Sequence, residues 1–339
     1  MKYITKSIWL LTFAVIICCI IYPAAVWVIG QVFFRFQADG SMVNGPDGTP
    51  VGSLLIAQPF TKPEYFQPRP SACSYDASAS ASSAIAASNY ALRGRVAGAL
   101  GPIVSYKSGP NAGKPVAPDI ETWFQQDKFQ GAPAIVAQWA DAHNGMAQGW
   151  VKTDANHLQA IGDWGTAHPD IVKQFIKDKP TIQTPQPTDL AVVFFEHYSK
   201  DHPGQFPSIV AQTGTDGKTA SVAIQPVKVG SDIQSSFFDM WLQDHPNVDL
   251  QDVPGDLVTS SGSGLDPNIT LQNAEFQLDG GVAAKWATDT KRDPAVVRGE
   301  IENMLQAEAT APFGGLAGEK LVNVLEVNLE LRQKYGAPQ

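Results

Sequence analysis

Residues 7–34 read SIWLLTFAVIICCIIYPAAVWVIGQVFF, without one Asp, Glu, Lys or Arg. A helix needs only about 20 apolar residues to cross the roughly 30 Å hydrocarbon core of a bilayer. The run therefore predicts one membrane-spanning helix over about residues 8–30, with room for tilt. Trp9 near one end, and Trp27, Phe33 and Phe34 near the other, suit the two membrane interfaces. Pro23 is tolerated inside such a helix where neighbouring helices satisfy the freed carbonyl. Lys2 and Lys6 precede the run, whereas Arg35 is followed by Asp39 and Asp47. That bias places the N-terminus in the cytoplasm and the remaining chain outside it. A cleaved signal peptide would carry an apolar stretch of only about 7–15 residues with a small-residue cleavage site close behind. Here the apolar residues continue through Ala24-Ala25-Val26-Trp27-Val28 to Gly30, and Ile17 before Cys18 is not the small residue of a lipoprotein site. A retained anchor is the better reading.

Behind the anchor there is enough chain for one large domain or two small ones, in a total of 339 residues. Hydrophobic residues make up 44%, which suffices to build a core. Acidic residues outnumber basic ones, 33 to 24, and no Lys/Arg cluster stands out. Nucleic acid is excluded as the main partner on that ground, because neutralising phosphates needs a basic face. Cys18 and Cys19 lie in the apolar run, so Cys73 is alone in the polar region and that region is no disulfide scaffold.

Residues 36–51 are rich in Gly, Asp and Pro and predict a turn-laden connection. Val51-Gly52-Ser53-Leu54-Leu55-Ile56 predicts a short buried strand. The Ala/Ser-biased stretch 72–91 suits either a loop or a weakly amphipathic helix. Asp266-Pro267 and Asp293-Pro294 each predict a helix start, with the carboxylate capping free amides and proline at the first position. After the second, Val296, Val297, Ile301, Met304 and Leu305 fall on one helical face. Leu321-Val322-Asn323-Val324 predicts a strand followed by a helical tail through Leu329 and Leu331. Strands and helices mixed without regular βαβ alternation predict an α+β fold.

Three stretches, in this order behind one anchor, resemble the KdpC family, the C component of the Kdp potassium-transporting ATPases. The first is Tyr22-Pro23 with Gly30-Gln31. The second is Gly52-Ser53-Leu54-Leu55-Ile56-Ala57-Gln58, Phe60, Tyr65-Phe66 and Arg69-Pro70-Ser71-Ala72. The third is Ser263-Gly264-Leu265-Asp266-Pro267-Asn268-Ile269-Thr270, echoed by Val322-Asn323-Val324-Leu325-Glu326-Val327-Asn328-Leu329. The family usually carries glycine where this chain has Ala57, and Gly-Gly where Ala86-Ala87 precede Ser88 and Asn89. Alanine there implies an altered loop, since glycine alone reaches positive φ without strain.

The likeness covers residues 1–105 and 247–339 and divides the chain into an anchor (1–35), a first part of the domain (36–105), an inserted, mainly helical region (106–246) and a second part (247–339). Insertion into a surface loop is tolerated because closure entropy grows slowly with loop length. The resemblance implies an inner-membrane complex of several chains. In it a channel-like subunit selects potassium, a P-type ATPase subunit uses ATP and magnesium, and a tiny single helix completes the membrane part. The KdpC-type chain would be a non-catalytic assembly factor in contact with lipid, binding no cofactor itself. One proposed role is to raise the nucleotide affinity of the ATPase subunit, yet only Met1 to about Lys6 would face cytoplasmic ATP. The docking or fold-defining residues implied are Gly52, Ser53, Gln58, Phe60, Tyr65, Phe66, Arg69, Pro70, Ser71, Ser88, Asn89, Gly264, Leu265, Asp266, Asn323 and Asn328.

The phosphorylated motif of a P-type pump, Asp-Lys-Thr-Gly, is absent. Gly217-Lys218-Thr219 imitates the end of a phosphate loop, but the first glycine of that loop would fall on Gln212. Thr215-Asp216-Gly217-Lys218 is better read as a hairpin turn. Arg69 has a structural reading, pairing with a carboxylate or a carbonyl, beside a functional one. Tyr65 and Phe66 divide between core and docking aromatics. Asp266 reads as a helix cap.

All six histidines fall in 106–246: His143, His157, His168, His197, His202 and His245. Phe194-Phe195-Glu196-His197-Tyr198-Ser199-Lys200-Asp201-His202-Pro203 resembles Phe237-Phe238-Asp239-Met240-Trp241-Leu242-Gln243-Asp244-His245-Pro246, and Trp139…His143 and Trp164…His168-Pro169 share the aromatic-to-histidine spacing. Two readings stand: a metal or haem site, and a degenerate repeat whose histidines end helices at the negative pole of the dipole. The rival function is accordingly an anchored extracytoplasmic binding module with a ligand or metal site in the insertion. An outer-leaflet enzyme is the third class, and it lacks a convincing nucleophile–base pair.

Overall fold

The computed structural model describes residues 2–45, 48–83, 85–86, 88–132, 134–213, 219–227, 231–316 and 318–338. The chain forms two units, one of Met1–Ala84 with Pro254–Gln339 and one of Ile85–Val253. Each has its own hydrophobic core, and among the described residues the two cores share none.

The first unit begins with α1 (Lys2–Val15), a wide π-turn (Ile16–Ile21) and α2 (Tyr22–Phe33) in one continuous rod. Tyr3–Phe33 is long and apolar enough to cross a membrane, and the most apolar part of it is not buried anywhere in the protein. The π-turn sits where Pro23 needs it. Proline has no N–H and its ring crowds the carbonyl four residues back; the Tyr22 N–H reaches Ile17 O, loosening the turn just ahead of that ring. A short α3 (Arg35–Ala38) leads into a ribbon of β1 (Met42–Asn44) and β2 (Pro50–Ser53), with Val43 opposite Gly52. The expected strand over 51–56 is thus shorter and only half-buried, because Leu54-Leu55-Ile56 turn away at once.

The second unit holds α4 (Tyr90–Leu100), α5 (Ala117–Gln125), α6 (Ile135–Ala142), α7 (Asn144–Thr153), α8 (Ala155–Ala167), α9 (Pro169–Asp178), α10 (Ala191–Asp201), a hairpin of β3 (Phe206–Thr213) and β4 (Thr219–Val227), and α11 (Ser231–Asp244). It is mostly helical, and its span exceeds 106–246 because α4 packs on α11. Glycine makes that approach feasible, since a Cβ on Gly101 would overlap the Gln234 carbonyl. Trp139, Trp241, Phe124, Phe194, Phe195, Phe206 and Phe237 fill the core. Trp139 meets Phe195 and Phe206 edge-on at 5.2 and 5.5 Å, a favoured aromatic geometry. Burying one such ring contributes on the order of 2–3 kcal/mol. The strands pair antiparallel from Phe206↔Val227 to Thr213↔Thr219. The turn expected at 215–218 lies outside the described residues, as does Ala87 of the loop expected to be altered.

The chain then returns to the first unit through α12 (Gly255–Val258), β5 (Asn268–Thr270), α13 (Leu271–Gln277), a π-turn (Leu278–Val282), α14 (Ala283–Thr290), α15 (Pro294–Glu308), β6 (Leu321–Asn323) and α16 (Val324–Tyr335). Asp293 caps α15 as expected, accepting from Ala295 N and Val296 N, a contact of about 1 kcal/mol. Val297, Ile301, Met304 and Leu305 point into the core, whereas Val296 is exposed. β5 and β6 pair antiparallel with Ile269 opposite Val322. Asp266-Pro267 does not start a helix. Asp266 accepts from Asn268 N and feeds β5, and Thr270 is the cap of α13. The pattern misleads because an Asx turn before a strand uses the same carboxylate-to-amide bond as a helix cap. The fold thus mixes helix and strand, with one apolar N-terminal helix.

Candidate functional site

The irregular segment from Ala57 to Tyr75 threads the first unit and is held mainly by side chains distant in sequence. Asn328 on α16 is buried, 2% exposed. Its Oδ1 accepts from Phe66 N at 2.9 Å and its Nδ2 donates to Phe66 O at 2.9 Å. Gln277, closing α13, repeats the device one residue on: Gln67 N donates to Oε1 at 2.7 Å and Nε2 donates to Gln67 O at 3.0 Å. Two amide side chains thus replace the partner strand that this backbone would otherwise need. A third bond, from Gln277 Nε2 to Asn273 Oδ1 at 2.9 Å, orients the Gln277 amide.

Farther along, Arg69 donates to Thr259 O and Ser260 O and lies 3.7 Å from the Asp266 carboxylate. Its guanidinium therefore binds the 259–266 loop, the structural member of the two sequence readings. Ser71 Oγ donates to Gly264 O at 2.6 Å and accepts from Tyr75 N at 2.9 Å, while Tyr75 OH returns to Arg69 O. Gly264 has φ +72°, and a Cβ there would lie 2.8 Å from Ala81 O and 3.0 Å from Cys73 Sγ. Leu265 O accepts from Ala57 N. Asn323 caps α16 through Oδ1 and donates Nδ2 to Leu54 O at 2.8 Å, tying β6 to the turn that follows β2. Ser53 Oγ donates to Gly40 O at 2.6 Å. Gln58 borders Gly52, where a Cβ would overlap Gln58 Oε1.

Phe60, Tyr65, Trp286 and Tyr335 follow one another as a chain of aromatic contacts at 5.5, 6.1 and 5.4 Å. Tyr335 OH donates to Glu300, which also pairs with Arg292 and Lys334. Hydrogen bonding from Arg292 leads the effects that pull the Glu300 carboxyl down to about 2. Phe66 is 1% exposed and belongs to the core, whereas Tyr65 is half-buried.

Gly52, Ser53, Gln58, Phe60, Tyr65, Phe66, Arg69, Ser71, Gly264, Leu265, Asp266, Asn323 and Asn328 are therefore bound into one unit. Pro70 is exposed beside them. Ser88 and Asn89 are exposed and fall in the other unit. Sequence reasoning missed Gln277, Asn273, Tyr75 and Glu300. Nothing local announces Gln277, whose partner is 210 residues away.

In the second unit His143, His168, His202 and His245 close helices, whereas His157 lies in the first turn of α8 and His197 inside α10. Nδ1 of His143, His168, His197 and His245 lies 2.7–3.1 Å from the carbonyl four residues earlier. His168 and His245 stack on Trp164 and Trp241 at 4.9 and 4.5 Å, and His202 lies against Tyr198 at 4.6 Å. The aromatic-to-histidine spacing is thus a helix-ending device: one ring nitrogen meets a last-turn carbonyl and the ring covers the aromatic. Among the described residues, no group of three or more His, Cys, Asp or Glu is placed to hold a metal.

The family model described as KdpC, the c chain of K+-transporting ATPase, matches residues 4–122 and 223–333, more than half of the chain. The potassium-transporting ATPase KdpC subunit of Parvibaculum lavamentivorans is 45% identical over 76 residues, 22% of this chain and 41% of that protein. Its counterpart in Caulobacter sp. is 58% identical over 64 residues, 18% of this chain and 33% of that protein. The one in Bacillus cytotoxicus is 38% identical over 94 residues, 28% and 44% respectively. The matches span less than half of these relatives' own length. With its matching stretches drawn together behind an apolar helix, and the family model covering most of both parts of the first unit, this chain belongs to the KdpC family.

Proposed function

We propose that the chain is a non-catalytic accessory subunit of an ATP-driven potassium import pump, which assembles and stabilises a channel-like subunit, a P-type ATPase subunit and a small single-helix subunit. The observation that carries this reading is the union of an exposed 31-residue apolar helix with a folded unit that holds most of the residues the family model matches. A helix whose apolar side chains have no cover within the chain is stable in lipid, where packing against other helices adds to its hold. Lys2 and Lys6 ahead of it favour a cytoplasmic N-terminus and an extracytoplasmic position for both units. ATP and magnesium belong to the ATPase partner, and any effect on its nucleotide affinity would pass through the membrane helices.

The test is mild-detergent affinity purification of the tagged full chain from potassium-starved cells. Channel-like and ATPase subunits should co-purify. Their absence from an eluate whose input extract contains them would overturn the reading.

A further inference from the structure

His143 ends α6 and opens α7, and its ring faces two acceptors at once. Nδ1 lies 3.1 Å from Trp139 O, and Nε2 lies 2.7 Å from Asp239 Oδ2 on α11. A carbonyl oxygen and a carboxylate can only accept. A neutral imidazole carries one N–H and can satisfy one of them; the imidazolium carries two and satisfies both. The side chains are 17% and 10% exposed, so water is a poor substitute for either bond.

We propose that His143 is a protonation-dependent tie between Trp139 O and Asp239, making both bonds while it is an imidazolium and giving one of them up, with the charge attraction to Asp239, when it loses its proton, so that the packing of α6 on α11 is strongest in acid. Two charged side chains bear on the ring: Asp239 of α11, which favours the charge, and Arg93 of α4, which opposes it. The other helices packed on α6, namely α7 and α10, bring no charged side chain to bear on it among the described residues. The hydrogen bond to Asp239 outweighs burial and holds the imidazole above its ordinary 6.5. Because the folded value is the raised one, the stabilisation is fully present below about 6.5 and disappears as pH climbs through the folded value. His168, His197 and His245 also set Nδ1 on a carbonyl. A neutral tautomer serves each of those bonds. The tie is a property of the chain itself; which compartment's pH it reads follows from the topology proposed above, and a failed topology would leave it intact.

The test uses the full chain in detergent. Exchange of the imidazole C2 hydrogen, followed by mass spectrometry in the wild type, gives the titration of His143 directly. Amide exchange of α6 and α11, corrected for intrinsic rate, gives the packing at each pH. His143 should titrate above 6.5, and protection of both helices should fall on the order of tenfold for each unit by which its value is raised. Asp239→Asn and His143→Gln should be less protected in acid and lose the pH dependence. An imidazole titrating at or below 6.5 in the wild type would overturn the proposal whether or not the variants fold, as would a protection profile of Asp239→Asn parallel to that of the wild type.

Discussion

The side-chain amide of Asn328 satisfies both the N–H and the C=O of Phe66, a residue 262 positions earlier, at 2.9 Å each. This pair joins the two sequence parts of the first unit and couples the stability of one to the other.

Asn328→Ala would leave two buried backbone groups of Phe66 without partners. Each such loss costs about 1–3 kcal/mol, so the first unit should weaken by roughly 2–6 kcal/mol. Asn328→Asp should be nearly as harmful, because it keeps the acceptor for Phe66 N but turns a second oxygen towards Phe66 O. Urea unfolding of the full chain in detergent, read by amide exchange in α13 to α16, measures both. Equal stability of wild type and Asn328→Ala would remove the clamp from any account of the fold.

Gly264 and Gly52 should respond differently to alanine. At Gly264 the backbone is left-handed and the new Cβ meets the Ala81 carbonyl at 2.8 Å, a group that cannot swing away. At Gly52 the obstacle is the far end of the Gln58 side chain, which can, with Leu325 Cδ2 next at 3.1 Å. The φ penalty alone is about 1 kcal/mol at Gly264. Gly264→Ala should therefore lower the melting temperature clearly more than Gly52→Ala, and a reversed order would contradict the packing described.

The features read correctly from sequence are local ones. Asp293-Pro294 ahead of α15, and Trp164 four residues before His168, put donor and acceptor within one helical turn. Asp266 fails for the same reason, since a carboxylate two residues before an amide serves a strand entry as well as a helix. The Gln277–Gln67 clamp and the His143–Asp239 contact join residues 210 and 96 positions apart. No periodicity encodes them. The span of the second unit was equally hidden, because α4 resembles its neighbours in composition and is drawn there only by its packing on α11.

Glu300 supplies a pH prediction of the opposite sign to His143. Arg292, Tyr335 and Lys334 gather on its carboxylate and take it from the ordinary 4.5 to about 2. A depressed carboxyl contributes its stability above its unfolded value, and loses that contribution as pH falls from about 4.5 towards 2. Glu300→Gln should weaken the α15–α16 packing at neutral pH and flatten its acid sensitivity over that window. Acid titration followed by near-ultraviolet circular dichroism of the Trp286–Tyr335 contact reads the effect; an acid transition unmoved by the substitution would place the sensitivity elsewhere.

The two separate cores predict what removal of the second unit does. Among the described residues, none of 85–253 contributes to the core around Trp286, Ile301 and Leu331. Replacing 85–253 by a flexible Gly/Ser linker should leave the first unit folded, since a longer or shorter loop changes closure entropy by only about 0.6 kcal/mol per doubling. Deleting 106–246 alone should fare worse, because α4 would remain without α11 and expose Ala97 and Leu100, which pack against the second core. Limited proteolysis of the two deletions separates the outcomes: a resistant first unit in the former, with α4 degraded or aggregation in the latter. If the 106–246 deletion proves the better behaved of the two, then α4 belongs to the first unit's folding. Co-purification of the pump subunits with whichever deletion folds then shows whether assembly needs the second unit.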